Sequence, residues 1–426
     1  MRTFNLMTSQ AAMDRLYRAL DEAGRGGMAA TECIPTAAAR DRVLARDVVS
    51  PVPLPEFRRS TVDGYAIQSS SAPGELRVIG EVKMGEITAL RVGPGEAALI
   101  HTGGHVPEGA DAVVMLEETT DNRQQTTDDG RPSSVVCRPS PVVRPGANII
   151  QQGEDVQAGE VVIRAGARLR EQEIGGLLSL GFTQVDVARR PRVALIASGD
   201  EVVPPESPVK PGQVRNINTP MLSALIERNG GQPLDFGILP DRREAFEEAA
   251  GRVMREADAV VFMAGSSVSE RDFTPDVIDG MGRPGILAHG IAFRPGKPTL
   301  FAVCDGKPVF GLPGNPISAL VTATLFVLPA LWRMQGALNP PEPATVGAVL
   351  AQDVKSPRDL EHWVPVRLER LEIGDERLGI TLPTAYPIAT KSNLIFGLVR
   401  AAGMMCAPIG VDRVTAGTIV DVRVFP

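Results

Sequence analysis

Two unbroken apolar runs, Arg192-Val-Ala-Leu-Ile-Ala197 and Ala259-Val-Val-Phe-Met-Ala264, limit the fold of this 426-residue chain more than any other feature. A strand that is apolar at every position must be covered on both faces. Pro191 and Gly199 bound the first run, and helical stretches at 221–228 and 244–256 flank a further apolar run at 234–239. Alternation of strand and helix predicts a parallel sheet with right-handed crossovers and helices on both sides. Extended pieces at 286–293, 299–303 and 308–311 follow, then a long helix from Pro316. The most apolar stretch, 317–332, carries Ser318, Thr322, Thr324 and Pro329, so it falls short of a membrane span.

The rest of the chain has a different texture. Thr8 or Ser9 can cap an amphipathic helix with Met13, Leu16, Tyr17 and Leu20 at i, i+3, i+4 and i+7. A second helical stretch is expected over 36–44, after which Pro51, Pro53 and Pro55 force extended backbone. From 51 to 150 short β runs at 76–80, 97–100, 112–116 and 134–137 alternate with Gly/Pro turns, and the polar segment 119–132 reads as a hairpin tip. Residues 151–188 return to the style of 1–50, so the β region reads as an insertion. Beyond Asn339-Pro340-Pro341 the runs 345–350, 363–371, 378–382 and 414–424 predict a terminal β barrel or sandwich. The expected division is 1–50 with 151–188, 51–150, 189–336 and 337–426.

Charge and side-chain chemistry exclude several functions. Lys+Arg 44 against Asp+Glu 51 gives a net charge of −7, and aromatics are 4%, which argues against a nucleic-acid surface or a base-stacking platform. Cys33, Cys137, Cys304 and Cys406 are scattered, and His101, His105, His289 and His362 lack zinc-ligand spacing, so neither a disulfide framework nor a structural zinc is expected. The first residues lack the apolar core of a signal peptide, and a cytoplasmic chain without a membrane partner is expected. Trp332, Trp363 and Met404-Met405-Cys406 read as packing residues.

In an open parallel sheet, ligands bind beyond the carboxyl ends of the strands. This sequence places Ser198-Gly199-Asp200-Glu201 after the first strand, Asp241 after the second, and Gly265-Ser266-Ser267 with Asp272 after the third. Later loops offer Arg294-Pro295-Gly296-Lys297 and Gly311-Leu312-Pro313-Gly314-Asn315-Pro316-Ile317-Ser318. Clustered carboxylates raise one another's pKa, a conflict that Mg²⁺ resolves by taking one or two of them together with water and phosphate oxygen. Arg294, Lys297 and the helix start at Pro316 can hold anions directly, with Asn315 as N-cap. Taken singly, Asp241 and Asp272 also read as helix caps; together the loops describe an oxyanion- and phosphate-handling site that uses Mg²⁺.

Ser60-Thr-Val-Asp63-Gly64-Tyr65-Ala66, Thr102-Gly103 leading to Pro107-Glu-Gly-Ala-Asp111, and Gly153-Glu154-Asp155 resemble the N-terminal half of the MoeA-type molybdopterin molybdenumtransferases, a group that includes the E domain of gephyrin. Ser198-Gly-Asp-Glu201, Arg294-Pro-Gly-Lys297-Pro298 and Gly311 to Ser318 resemble that family's molybdopterin-binding domain. The resemblance implies a multidomain α/β plus β architecture, with a MogA-like α/β/α domain, a β-rich inserted domain and a C-terminal β barrel. It implies a homodimer that inserts molybdate into adenylylated molybdopterin and releases AMP with Mg²⁺. A MogA-type adenylyltransferase and acceptor molybdoenzymes would be its partners.

Carried over residue by residue, Asp241 and Asp272 would hold Mg²⁺, while Asp63, Asp272 and Lys297 would be catalytic. Asp200, Glu201, Arg294, Gly314, Asn315, Ser318, Arg367 and Ser392 would bind substrate, and Thr102 and Asp155 would join Asp63 from the partner subunit. Three departures stand out: Ala264 in a Gly-rich loop, Asn216-Ile217-Asn218 where the family tends to have Asp-Ser-Asn, and Lys391-Ser392-Asn393 in place of a Gly-Ser-Gly-like turn. The second reading is a non-catalytic carrier or chaperone that holds molybdopterin or its nucleotide for a molybdoenzyme.

Overall fold

The computed structural model describes residues 6–28, 30–121, 136–139, 142–263, 273–369 and 382–425. They form two compact units: Met1–Arg46 with Ala165–Ile174 and Thr183–Pro426, and Asp47–Arg164 with Gly175–Phe182.

The first unit is built on a six-stranded sheet in the order Gln232–Leu239, Arg192–Ser198, Ala259–Met263, Lys307–Leu312, Leu300–Cys304, Pro284–His289. Alternate residues of the apolar runs enter opposite cores. Val193, Leu195, Ala197, Val261 and Met263 pack against the helices Ser9–Glu22, Asn218–Arg228 and Pro316–Met334. Ala194, Ile196, Val260 and Phe262 pack against Arg243–Glu256 and Thr274–Gly280. This is the three-layer arrangement expected for strands apolar on both faces.

The sheet is mixed, which corrects the expectation of a parallel one. The four strands from Gln232–Leu239 to Lys307–Leu312 are parallel, and Leu300–Cys304 runs antiparallel to both of its neighbours, Lys307–Leu312 and Pro284–His289. The reversal comes from a two-residue hairpin at Asp305 (φ 49°) and Gly306 (φ 78°), too short for any crossover.

Pro316–Met334 is long and apolar enough to cross a membrane, yet Ile317, Val321, Phe326, Val327 and Leu331 lie in the core. Its α geometry is interrupted by a π turn at Ala323–Val327, just before Pro329, whose ring nitrogen donates no hydrogen bond. Phe301 is fully buried between Phe310 and Phe326, edge-on at 5.7 and 4.9 Å. Phe301→Ala is expected to cost about 3 kcal/mol or more, read as a lower denaturant midpoint.

Helix Ser9–Glu22 starts as expected, with Thr8 Oγ1 accepting the Ala11 N–H at 3.2 Å. The helix expected over 36–44 is instead a single 3₁₀ turn, Thr36–Ala38. Asp41 adopts φ 63°, and the N–H groups of Asp41 and Leu44 donate to Leu169 and Ala167, so returning chain takes the place of helical partners. Thr31–Pro35 likewise pairs with Gln184–Ala188. The C-terminal strands Thr345–Leu350, Glu361–Glu369, Thr384–Pro387, Gly403–Ala407 and Ile419–Val424 close on themselves through pairing of Glu361–Glu369 with Gly403–Ala407. The result is a five-stranded barrel, not a sandwich, around Leu350, Val366, Met405 and Val422. Most of the run expected at 378–382 lies outside the described residues.

The second unit carries another six-stranded sheet, Ala112–Met115, Gly64–Ile67, Glu96–Ile100, Leu76–Glu81, Val136–Pro139 and Thr119–Asp121. Its faces bury Ala66, Ala98 and Ile100 on one side and Tyr65, Ile67 and Leu99 on the other. Most of the segment read as a hairpin tip, 119–132, lies outside the described residues.

Candidate functional site

The parallel strands of the first unit end along one edge, and two of their loops are stitched together there. Gly199 has φ 132°, and a Cβ on it would stand 2.8 Å from Glu201 Oε2 and 2.9 Å from Val202 Cγ2, so the turn requires glycine. Its N–H donates to Leu239, and the N–H of Asp241 donates to Asp200 Oδ1 at 3.1 Å. Asp241 does not cap the next helix, because Arg242 holds the N-cap position without a side-chain bond. Burial first, and then the charges of Asp200 and Glu201, push the Asp241 carboxyl above the usual carboxylate range.

A divalent cation would relieve that crowding. Among the described residues no three His, Cys, Asp or Glu converge as a metal cage. Carboxylate oxygens such as those of Asp200 and Asp241 are donors that a hard cation would take together with water. Asp272, with Ala264 to Ser267, lies outside the described residues.

Beside this rim is a cavity of about 710 Å³ with Asp200, Glu206, Asp235 and Asn216 in its wall. Asn216 is buried; its Oδ1 accepts the Thr219 N–H at 3.2 Å and its Nδ2 donates to Thr219 Oγ1 at 2.9 Å. It thus ties down the start of helix Asn218–Arg228 without adding a fourth negative charge to the cavity wall.

The cationic loop reaches the same edge ahead of Leu300–Cys304. Phe293–Arg294 pairs with Glu361 and His362 of the barrel, and Gly296 sits buried at φ 123°. Arg294 and Lys297 are exposed on either side of it. Burial lowers His362, and the neighbouring Arg294 charge lowers it further.

The loop 311–318 is held from two directions. Asn218 Nδ2 donates to the Gly314 carbonyl at 2.8 Å, and Ser392 accepts from Asn315 Nδ2 on its hydroxyl and from the Ile317 N–H on its carbonyl, both at 3.1 Å. Asn315 stands at the N-cap position but makes no side-chain capping bond, contrary to expectation, because Ser392 takes its amide. Ser318 is buried behind it. Arg367 pairs with Glu369 and lies over Tyr386, 5.0 Å from the ring centre.

In the second unit, Thr102 donates to Asp63 Oδ1 through its N–H at 2.7 Å and its hydroxyl at 3.2 Å. The Thr102 N–H is the main cause that holds the Asp63 carboxyl below the usual range. Asp155 is exposed in the turn after Gly153, its N–H bonded to Leu54. The structure thus joins Asp200 with Asp241, Asn315 with Ser392 and Asp63 with Thr102. Asn218, quoted from the sequence only within Asn216-Ile217-Asn218, and His101, weighed there only as a metal ligand, were not among the expected site residues.

Three family models cover most of the chain: the MoeA N-terminal region (domain I and II) over residues 7–181, a probable molybdopterin binding domain over 194–333, and the MoeA C-terminal region (domain IV) over 347–425. The chain is 34% identical over 400 residues to a molybdopterin molybdenumtransferase of Haemophilus influenzae, covering 93% of this chain and 94% of the relative. A protein of the same description from Staphylococcus epidermidis is 33% identical over 388 residues, with 89% and 88% covered. The crystal structure of a molybdopterin biosynthesis MoeA protein from Pyrococcus horikoshii superimposes with a TM-score of 0.80 at 30% identity, over 99% of this chain and 100% of that one. With order, fold and length all in agreement, the chain belongs to the MoeA family of molybdopterin molybdenumtransferases.

Proposed function

We propose that this transferase of molybdenum cofactor biosynthesis inserts molybdate into adenylylated molybdopterin and releases AMP in a Mg²⁺-dependent step. The observation that carries the reading is the acidic rim of Asp200, Glu201 and Asp241 on the sheet edge to which the loops of Arg294, Lys297 and Ser318 also lead. Asp241, with Asp272, would hold Mg²⁺, and the ion would supply charge neutralisation at the phosphate.

The side chains divide the remaining work. Arg294 and Lys297 attract molybdate, a tetrahedral dianion, and Ser318 offers it a hydroxyl donor. Gly314 and Asn315 present the helix start at Pro316 to anionic groups, and Ser392 orients Asn315 toward that task. Asp200 and Glu201 place the pterin. Arg367 binds the anionic part of the substrate. Phosphoester cleavage of this kind needs positioned charge more than covalent chemistry, so fixed loops suit it.

The active form is a homodimer in which the partner subunit's Asp63, Thr102 and Asp155 complete the site. A MogA-type adenylyltransferase supplies the substrate in the cytoplasm, and molybdoenzymes accept the product.

The test gives the purified protein adenylylated molybdopterin, molybdate and Mg²⁺. AMP release matched by molybdenum in the product, and lost on chelation of Mg²⁺, is the expected result. Tight binding of substrate with no AMP would replace the enzyme reading with that of a carrier.

A further inference from the structure

Three strand ends of the second unit meet at one imidazole. Glu96–Ile100 is flanked by Gly64–Ile67, with Gly64 opposite Ile100, and by Leu76–Glu81, with Glu81 opposite Leu99. His101 leaves the middle strand, Asp63 enters the first neighbour, and Glu81 ends the second. The register therefore sets His101 between two carboxylates drawn from different strands. Glu81 Oε1 lies 2.9 Å from Nε2 and Asp63 Oδ1 lies 3.6 Å from Nδ1.

Carboxylates only accept, so Nε2 carries the proton that points at Glu81. That bond fixes the ring plane with Nδ1 facing the Asp63 oxygen already held by Thr102, an ion pair when the ring carries its second proton. Thr102 holds Oδ1 with two hydrogen bonds and the imidazole stands beside it, which leaves Oδ2 to meet a substrate. Carboxylate–imidazole pairs orient reacting groups in this way at many sites.

We propose that His101, braced by Glu81, is a positioning residue that orients the Asp63 carboxylate for the transferase reaction. The proposal rests on the reading that Asp63 takes part in that reaction.

AMP release by the full-length protein tests it as a double-mutant cycle of His101→Ala and Asp63→Asn. His101→Ala is expected to lower kcat by about tenfold with KM changed less than about twofold, because the group that acts is misaligned and not lost. Added imidazole should restore part of the rate, and Glu81→Gln should give a smaller loss of the same kind. In the Asp63→Asn background, His101→Ala should cost nothing further, an outcome that a merely structural role for His101 would not produce. Full turnover of His101→Ala, or a loss that adds undiminished to that of Asp63→Asn, overturns the proposal alone. Full turnover of Asp63→Asn overturns the site reading and the proposal together.

Discussion

Asp241→Asn is expected to lower kcat/KM for AMP release by about a hundredfold or more, with the melting temperature unchanged or raised. The two halves of that expectation have one cause. Asp241 stands on a rim with Asp200 and Glu201, and its carboxyl is pushed up by burial and by their charges. Between the ordinary carboxylate value and the raised one, the folded chain binds a proton that the unfolded chain has released. Stability therefore falls as pH rises through that interval, and asparagine removes the fall. The same substitution takes a full charge from the position proposed for Mg²⁺, so activity should drop where stability does not. Titrating Mg²⁺ separates the effects, since the variant should need a higher concentration to reach half-maximal rate. Asp272→Ala should likewise abolish turnover in a folded protein; unchanged turnover would remove Asp272 from the site. Full activity of Asp241→Asn at low Mg²⁺ would sink the metal assignment.

How much of this was legible in the sequence follows from how local each signal is. The runs at 192–197 and 259–264 declare a strand buried on both faces through composition alone, and the two cores receive their alternate residues. The antiparallel edge had a signal too. Asp305-Gly306 between two apolar runs is a hairpin connection, but the preceding strand–helix rhythm pulled the reading toward a parallel sheet. The segment 36–44 has helical composition, and only partners more than a hundred residues away, at 167–169, decide otherwise. The same holds at the site. Motif residues could be named from their loops, whereas the bonds that orient them, from Asn218 to Gly314, Ser392 to Asn315 and His101 toward Asp63, join distant stretches that carry no shared local pattern.

Gly296→Ala should be as damaging as removal of a charged group, although it removes none. The residue is buried at φ 123°, where an L side chain is strained, and its Cβ would stand 2.6 Å from both Phe293 Cζ and Thr322 Cγ2. Neither neighbour is free to yield. Phe293 is packed edge-on against Phe326 at 5.3 Å, and the Thr322 hydroxyl is bonded to the carbonyls of Ser318 and Ala319. The loop itself must then shift, carrying Arg294 and Lys297 with it, and a displacement of about 1 Å is enough to cost on the order of a hundredfold in rate. Overpacking adds a destabilisation of about 1–3 kcal/mol, read as a lower denaturant midpoint. Because the damage runs through the two cations, Gly296→Ala should cost little further turnover once both Arg294 and Lys297 are alanine. Equal turnover of Gly296→Ala and the parent chain across a molybdate titration would show that these cations act from outside the reaction.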